Sequence, residues 1–434
     1  MIEKQIPRDK CLDSTLAFWQ EGYLFIQNRI KRYHSDLFET RLLGKRTICM
    51  SGKEAAKLFY NTELFQKKNA LPKRVQKTLF GVNAIQTMDG VQHICRKKFF
   101  MSLLSREYEE QLIQIVMEKW EKAAKRWISA RQVILFDEVN DILCQAVCEW
   151  TGVPLSPEEE KYRAEDFAAM VDAFGAVGCK YWKGKIARKR TENWIKEIIK
   201  AVRCGCLRPE ENSILYKMAY YKENGKPLDL EMAAIELINI LRPVIAVSRF
   251  ITFAVLGVHE HSGYREKLRS QDADFLEMFV QEVRRYYPFT PCLGAVVKKS
   301  FKWKGYRFRK GTLVLLDVYG INHDARIWKN PNEFFPERFC GKKENQFGFI
   351  PQGGGNPGKG HRCPGEKITI ELMKVSLDFL IRSIEFETPA QNLSYSLREI
   401  PAMPESGFIM KNIYLTHQTY DAGKRMTEGI EKRR

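Results

Sequence analysis

A cysteine between a glycine-rich loop and a predicted helix constrains this chain more than any other feature. Residues 351–366 read Pro-Gln-Gly-Gly-Gly-Asn-Pro-Gly-Lys-Gly-His-Arg-Cys-Pro-Gly-Glu, and the helix is predicted to run from Pro364 to about Ile381. A helix N-terminus favours an anion, so the sulfur of Cys363 is biased towards thiolate. The glycines allow the backbone to approach a flat ligand closely. A thiolate so placed suits an iron porphyrin, although for this loop alone an inert cysteine is an equally good interpretation.

The net charge limits the classes of partner that this protein is expected to bind. The 434 residues carry a formal net charge of +18, which we interpret first as a solvated surface and only second as a sign of anionic substrates, an anionic membrane or nucleic acid. Nucleic acid is the weakest of these, because we find no zinc-finger spacing and no aromatic–basic recognition block.

Eleven irregularly spaced cysteines without a secretory signal predict free thiols in the cytoplasm. The pair Cys204 and Cys206 lacks the second Cys/His pair that a zinc site requires.

The hydrophobic patterns predict a mainly α fold with small β-sheets. Helical periodicity covers residues 11–33, 106–127, 136–150, 158–174, 190–201 and 275–287. Short strands are predicted near Leu42, over 47–50 and between 295 and 316. The most apolar stretch, residues 233–258, is interrupted by charged residues and a proline, so it predicts one buried helix and no transmembrane segment. We expect a single domain over residues 1–418 and a charged, disordered tail over 419–434.

A charged pair and a second arginine precede the cysteine loop. Glu282 and Arg285 are three residues apart in a predicted helix, which places their side chains on one face. Arg338 lies in the irregular stretch that follows. In this order and at these spacings, Glu282/Arg285, Arg338 and Cys363 resemble the cytochrome P-450 superfamily. That resemblance implies an α-rich triangular prism enclosing haem b (iron protoporphyrin IX), with Cys363 as the iron ligand and the three charged residues as a structural clamp.

The resemblance extends to the bacterial fatty-acid peroxygenase branch of the superfamily. Similar stretches cover residues 69–76, 80–86, 170–177, 234–243 and 281–289. Oxygen-activating relatives carry an acid–alcohol pair in the central helix, which relays protons to dioxygen. Here that place reads Leu-Arg-Pro-Val over residues 241–244, with no acid and no hydroxyl. The cysteine loop is also longer than usual, with Asn356 where most relatives have Phe. Both departures match the peroxygenase branch.

Arg242 and Pro243 are the residues on which the chemistry is expected to depend. A guanidinium flanked by apolar residues in a buried helix needs a counter-charge. When the resemblance to the family is set aside, an internal salt bridge is an equally good interpretation of Arg242. With haem beneath it, a substrate carboxylate becomes the better partner, because a guanidinium binds carboxylate through a bidentate fork. Pro243 removes one helical hydrogen bond and kinks the helix, which makes room for peroxide.

The remaining site residues follow from the resemblance. Gln86 is expected to face the haem, where relatives with His tend towards decarboxylation and those with Gln towards hydroxylation. His93, Lys97, His361 and Gln352 are expected to contact the cofactor, although each alone is more often a surface residue. The acyl channel is expected to be lined by residues that are otherwise plain core, namely Leu79, Phe80, Val171, Phe174 and Phe289.

The resemblance implies an enzyme that uses hydrogen peroxide to hydroxylate long-chain fatty acids at Cα or Cβ, with decarboxylation to terminal alkenes as a minor outcome. The carboxylate held by Arg242 serves as the acid–base group that the protein lacks. No obligatory redox partner and no nucleic acid are expected. Two alternatives stay open: a fatty-acid monooxygenase that depends on a redox partner, and a non-catalytic haem or fatty-acid binding protein.

Overall fold

Helices dominate the computed structural model, which describes residues 4–270, 273–341 and 345–416. Within this part of the chain the helices are α1 (Thr15–Glu21), α2 (Phe25–Tyr33), α3 (Lys53–Phe59), α4 (Lys73–Val75), α5 (Gly90–Ser102), α6 (Arg106–Trp127), α7 (Leu135–Thr151), α8 (Glu160–Asp172), α9 (Cys179–Arg203), α10 (Ile214–Tyr220), α11 (Leu230–Ala246), α12 (Ser248–Glu260), α13 (Gly263–Arg269), α14 (Ala273–Tyr286), α15 (Val318–Asn322) and α16 (Glu366–Arg382). The expected tail, residues 419–434, lies outside the described residues.

The strands form small sheets at the periphery of the helices. They are β1 (Leu37–Leu42), β2 (Lys45–Met50), β3 (Phe65–Gln66), β4 (Gln132–Ile134), β5 (Lys222–Glu223), β6 (Lys226–Pro227), β7 (Cys292–Val297), β8 (Phe301–Trp303), β9 (Tyr306–Phe308), β10 (Leu313–Asp317), β11 (Ile384–Glu387) and β12 (Ile409–Leu415). One five-stranded sheet has the order β1-β2-β10-β7-β3, and a three-stranded sheet has the order β11-β12-β4. The predicted fold class, mainly α with small β-sheets, is confirmed.

A large apolar core joins the central helices, and a smaller one lies beneath the five-stranded sheet. The large core takes buried side chains from α6 to α12, α14 and α16, among others, and includes Trp120 and Trp127. The smaller core includes Phe59, Phe65 and Phe308. Each fully buried large apolar side chain contributes about 1.5–3 kcal/mol relative to an exposed one. These cores fix the helices that carry the candidate site.

The stretch predicted as one buried helix, residues 233–258, is helical except at a single turn residue, Val247, which divides it into α11 and α12. Pro243 lies inside α11 and has no N–H with which to bond the carbonyl of Asn239. The helix tightens one turn later, where the N–H of Val247 donates to the carbonyl of Val244 at 3.1 Å, and α12 follows. The segment Leu230–Glu260 is long and apolar enough to cross a bilayer, but 94% of its most apolar window is buried inside the protein. It is the central part of the large core.

The first predicted helix, residues 11–33, is also interrupted. Gly22 has φ +56°, in the left-handed region that favours glycine, and it separates α1 from α2. The N–H of Tyr23 donates to the carbonyl of Leu397 at 2.9 Å. The interruption therefore docks the N-terminal helices onto a segment near the other end of the chain.

Candidate active site

The cysteine loop presents a partly buried sulfur, near which the side-chain amide of Gln352 and the backbone N–H of Gly365 lie as hydrogen-bond donors. The N–H of Cys363 donates to the carbonyl of Gln352 at 3.0 Å, and the side-chain Nε2 of Gln352 lies 3.8 Å from Sγ. Burial raises the pKa of the Cys363 thiol, while the backbone N–H of Gly365 and the charges of Lys97 and Arg284 act in the opposite direction. Gln352 thus contacts the sulfur directly.

The helix after the cysteine begins later than predicted. The helix α16 starts at Glu366, and Pro364 and Gly365 form a turn before it, so Pro364 is not the first helical residue. The reason is visible in the contacts of Glu366, whose carboxylate accepts from Nε of Arg362 at 2.6 Å and from Nη2 of Arg284. These ion pairs hold the first turn of the helix, and they leave the sulfur in the loop that precedes it.

Arg284 contacts the cysteine loop and is absent from the residues that the sequence predicts for the site. Its Nη2 donates to Oε1 of Gln352 at 3.0 Å as well as to Glu366, and its side chain is buried. Successive residues on a helix point about 100° apart, so Arg284 and Arg285 reach different partners. Arg284 therefore ties α14 to the cysteine loop.

Glu282, Arg285 and Arg338 come together in one buried network. Arg285 donates to Glu282 through Nε at 2.8 Å and Nη2 at 2.7 Å, and Nε of Arg338 donates to the same carboxylate at 3.1 Å. Both arginines then donate to backbone carbonyls of a single loop; these acceptors are Asn322, Lys329, Asn330, Pro331 and Glu333. The network pins the loop that leads to the cysteine segment.

We expect Arg285→Ala to give insoluble or haem-poor protein. Removing one partner of a buried ion pair costs on the order of 3–5 kcal/mol, because Glu282, which is 0% exposed, keeps an uncompensated charge. The measurements are the haem-to-protein ratio and the melting temperature. Arg126→Ala is the control, since Arg126 forms a half-exposed ion pair with Glu138 and the loss should stay below about 1 kcal/mol. A soluble, haem-replete Arg285→Ala with normal melting would refute the structural role.

Basic side chains gather between α5 and the cysteine loop. The rings of His93 and His361 lie 4.0 Å apart, and Nζ of Lys97 donates to the carbonyls of Gly360 and Arg362. Burial, followed by the charges of His361 and Lys97, lowers the pKa of His93 to about 3. Burial also lowers the pKa of Lys97 to about 8. Three of the predicted cofactor residues, His93, Lys97 and His361, are therefore gathered at the cysteine loop.

Arg242 is buried without a counter-charge. Its side chain lies on α11 and is 6% exposed, and its Nε has no hydrogen-bond partner. Over residues 4–270, 273–341 and 345–416, no ion pair involves Arg242, so the alternative of an internal salt bridge is wrong within that part of the chain. Burial lowers the pKa of its guanidinium, the charge of Arg188 lowers it further, and Cys363 raises it. A buried cation in this state favours binding of an anion.

The five predicted channel residues form one apolar cluster beside Arg242. Leu79 and Val171 are buried together with Val75 and Ala246, and Phe80, Phe174 and Phe289 pack against them. The guanidinium carbon of Arg242 lies 5.4 Å from the centroid of the Phe80 ring. The structure thus combines an unpaired cation with an apolar wall, which suits an amphiphile with an anionic head.

Two polar residues of α11, Glu236 and Asn239, hold the segment that carries Gln86. Glu236 is 0% exposed and accepts from the N–H of Ile85 at 2.9 Å and from Nη1 of Arg96 at 2.7 Å. Nδ2 of Asn239 lies 2.9 Å from the carbonyl of Phe80, 3.1 Å from Oε2 of Glu236 and 3.5 Å from Oε1 of Gln86. Polar residues three apart in an apolar helix are the one signal for this pair in the sequence, and from the sequence alone they argue only against a membrane span.

The donor set around Cys363 fits a haem. An amide and a backbone N–H near the sulfur stabilise its thiolate form. Gly353 has φ +98°, and a Cβ there would lie 3.2 Å from Cα of Arg362, so the loop is closely packed where a flat ligand would lie against it. The hydroxyl of Tyr60 is buried beside this loop without a partner. Lys97 and the two histidines would hold the propionates, and Cys363 would hold the iron.

Comparison with known proteins decides the family. The cytochrome P450 family matches residues 265–411. The structure of cytochrome P450EX alpha (CYP152N1) with myristic acid is 40% identical in sequence, covers 95% of this chain and 100% of its own, and has a TM-score of 0.92. The chain belongs to the cytochrome P450 family.

Further relatives of this P450 agree with that assignment. A variant of cytochrome P450 OleT in complex with arachidonic acid is 37% identical, covers 95% of this chain and 99% of its own, and has a TM-score of 0.92. Cytochrome P450 3A15 of Cavia porcellus is 28% identical over 52% of this chain, and the chain spans about half (48%) of that protein. The predicted branch, the oxidoreductase class and the haem cofactor are confirmed. The roles of individual site residues stay predictions.

Proposed function

We propose that this P450 uses hydrogen peroxide to hydroxylate long-chain fatty acids at Cα or Cβ, with decarboxylation to terminal alkenes as a minor outcome. The observation that carries the proposal is Arg242, a buried guanidinium with an unpartnered Nε beside an apolar cluster. The relatives agree, since P450EX alpha was solved with myristic acid and the OleT variant with arachidonic acid. Haem, when bound, supplies the oxidising chemistry that transfers an oxygen atom from peroxide to a C–H bond.

The substrate carboxylate binds at Arg242. A guanidinium and a carboxylate form two parallel charge-assisted hydrogen bonds, which orient the acid as well as bind it. The acyl chain then extends over the apolar cluster of Leu79, Phe80, Val171 and their neighbours. With haem held by Cys363, a head group bound at Arg242 would leave Cα and Cβ as the carbons nearest the reacting centre, so the position of attack would follow from geometry.

The same carboxylate moves the proton that peroxide chemistry requires. Residues 241–244 offer no acid and no hydroxyl, and Pro243 offers no backbone N–H. Glu236 is the nearest acid along α11, but its carboxylate accepts hydrogen bonds from Arg96, Asn239 and Ile85. A carboxylate oxygen of the substrate, held by Arg242, takes the proton from one peroxide oxygen and returns it to the other.

The experiment that tests the proposal supplies the purified holoenzyme with a long-chain acid and hydrogen peroxide, and with no reductase. We expect hydroxylation at Cα and Cβ, and little reaction with the methyl ester of the same acid, because the ester carries no anionic head for Arg242. Turnover only with a reductase and dioxygen would favour the redox-partner-dependent monooxygenase. Binding of the acid with no turnover under either condition would favour the non-catalytic binding protein.

We expect Gln86→His to shift the products from hydroxy acids towards terminal alkene. Gln86 lies in a 3-10 turn, Ile85–Thr87, whose position is fixed by Glu236 and Asn239, so the backbone should hold an imidazole at position 86 where it now holds the amide. The measurement is the alkene-to-hydroxy-acid ratio by gas chromatography. Gln114→His, at an exposed position on α6, is the control and should leave the ratio unchanged. If the wild type already makes mostly alkene, position 86 does not decide the outcome.

A further inference from the structure

Two exposed thiols face each other at the end of α9, away from the cysteine loop. The sulfur atoms of Cys204 and Cys206 are 2.6 Å apart, and both side chains are exposed to solvent. Within the described residues, no group of three or more His, Cys, Asp or Glu side chains could hold a metal ion, so this pair is not part of a larger ligand set. An S–S bond is about 2.0 Å long, so only a small movement separates the two sulfurs from a disulfide.

The turn that carries the pair is already fixed in the dithiol form. Gly205 has φ +76°, which reverses the chain between the two cysteines at no steric cost. The N–H of Cys204 donates to the carbonyl of Lys200 at 3.0 Å, Gly205 donates to Val202 at 3.1 Å and Leu207 donates to Ala201 at 3.0 Å. Because the backbone is held by the end of the helix, closing the bond requires little loss of conformational freedom.

The two sulfurs are chemically different. The hydrogen bond between the two sulfurs, followed by the backbone N–H of Cys206, lowers the pKa of Cys204. The same hydrogen bond raises the pKa of Cys206. The contact between the two sulfurs thus pairs a thiolate, which is the nucleophilic form, with a thiol that can resolve the product, and we assign the attack to Cys204.

We propose that Cys204-Gly205-Cys206 is a redox-active dithiol that hydrogen peroxide closes to an intramolecular disulfide. The Cys204 thiolate attacks one peroxide oxygen, an S–O bond forms, the O–O bond breaks and hydroxide leaves, which gives a sulfenic acid. Cys206 then attacks the Cys204 sulfur, the S–S bond forms and the S–O bond breaks. In total two thiols lose two electrons and two protons, and one peroxide becomes two waters. The proposal does not rest on the haem reaction, because a dithiol needs no haem to reduce peroxide.

The test measures the thiols of the full-length holoenzyme by peptide mass spectrometry. After treatment with hydrogen peroxide, free thiols are alkylated and the protein is digested with trypsin. Arg208 is followed by Pro209, which blocks cleavage there, so both cysteines fall in one peptide over residues 204–217. We expect that peptide to lose two hydrogen atoms and to take up no label, at least about tenfold faster than lone exposed cysteines such as Cys95 are oxidised. Dithiothreitol should restore both labels.

Variants and a second oxidant complete the test. Cys206→Ser should leave Cys204 without a resolving partner, so that it gains oxygen in place of the disulfide, whereas Cys179→Ser, an exposed cysteine at the opposite end of α9, should leave disulfide formation unchanged. Diamide, which oxidises dithiols without haem, should give the same disulfide. A peptide that stays doubly labelled with both oxidants, or that gains oxygen on each cysteine without cyclising, would overturn the proposal.

Discussion

Cys363→Ala is expected to abolish the long-wavelength Soret band that the carbon monoxide complex of thiolate-ligated ferrous haem gives. The sulfur is the only side-chain atom of residue 363 that can bind iron, and alanine leaves the loop without an anion to donate electrons to it. Peroxide-driven turnover should fall to the background of free haem. The measurements are the difference spectrum of the reduced protein with and without carbon monoxide, and the product yield at equal haem concentration.

Cys340→Ala is the control that shows whether the effect of Cys363→Ala is specific to the iron ligand or follows from the loss of any cysteine. Cys340 lies in the irregular stretch before the cysteine loop and is exposed, so its loss should leave the spectrum and the turnover of the holoenzyme unchanged. A Cys363→Ala protein that keeps the thiolate band would mean that another cysteine binds the iron. In that case the interpretation of the glycine-rich loop is wrong.

The features that could be predicted from the sequence are those in which the chemistry is local. A cysteine before a helix, a Glu/Arg pair three residues apart and an arginine in an apolar helix are each visible within a few residues. The long amphipathic helices α6 and α7 were predicted to within a residue at each end, because one apolar stripe faces the core throughout their length. The five apolar residues Leu79, Phe80, Val171, Phe174 and Phe289 do share one cluster.

The features that escaped prediction depend on contacts between distant segments. Glu236 accepts from the N–H of Ile85, 151 residues earlier, and nothing in either segment specifies the other. Arg284 reaches Glu366, the first residue of α16, across 82 residues. The strand β4 has only three residues and pairs with β12 from near the other end of the chain, so no alternation could reveal it. Such positions are determined by packing, which overrides local preference.

The helix α9 shows a different reason for a wrong boundary. It was predicted from Arg190, but it begins at Cys179. Its first turns read Cys-Lys-Tyr-Trp-Lys-Gly-Lys, with exposed aromatic and basic side chains and a glycine that lowers helix propensity. Gly184 packs against α8, where a Cβ would meet the backbone of Ala169 at 2.6 Å. The glycine that weakens the pattern in the sequence is the residue that lets the two helices approach.

Arg242→Ala is expected to reduce the maximal turnover of a long-chain acid by about 10²–10⁴-fold, which is the rate enhancement that general acid–base catalysis usually supplies. If Arg242 only anchored the substrate, saturating acid would restore full turnover, and only the Michaelis constant would rise. Because the carboxylate must also be oriented for proton transfer, we expect the maximal rate itself to fall. Arg242→Lys keeps the charge and loses the planar fork, so it should lie between the wild type and Arg242→Ala.

A substrate without a carboxylate tests whether the carboxylate of the substrate or a group of the protein moves the proton. Styrene should react poorly with peroxide in the wild type, because it brings no acid–base group to the unpartnered guanidinium of Arg242. A short acid such as heptanoate should restore the reaction by binding at Arg242, and the rescue should saturate with acid concentration and vanish in Arg242→Ala. Equal reaction of styrene with and without the acid would show that the protein moves the proton itself. Glu236, the buried acid two turns before Arg242, would then be the residue to replace, and Glu236→Gln would be expected to remove that activity.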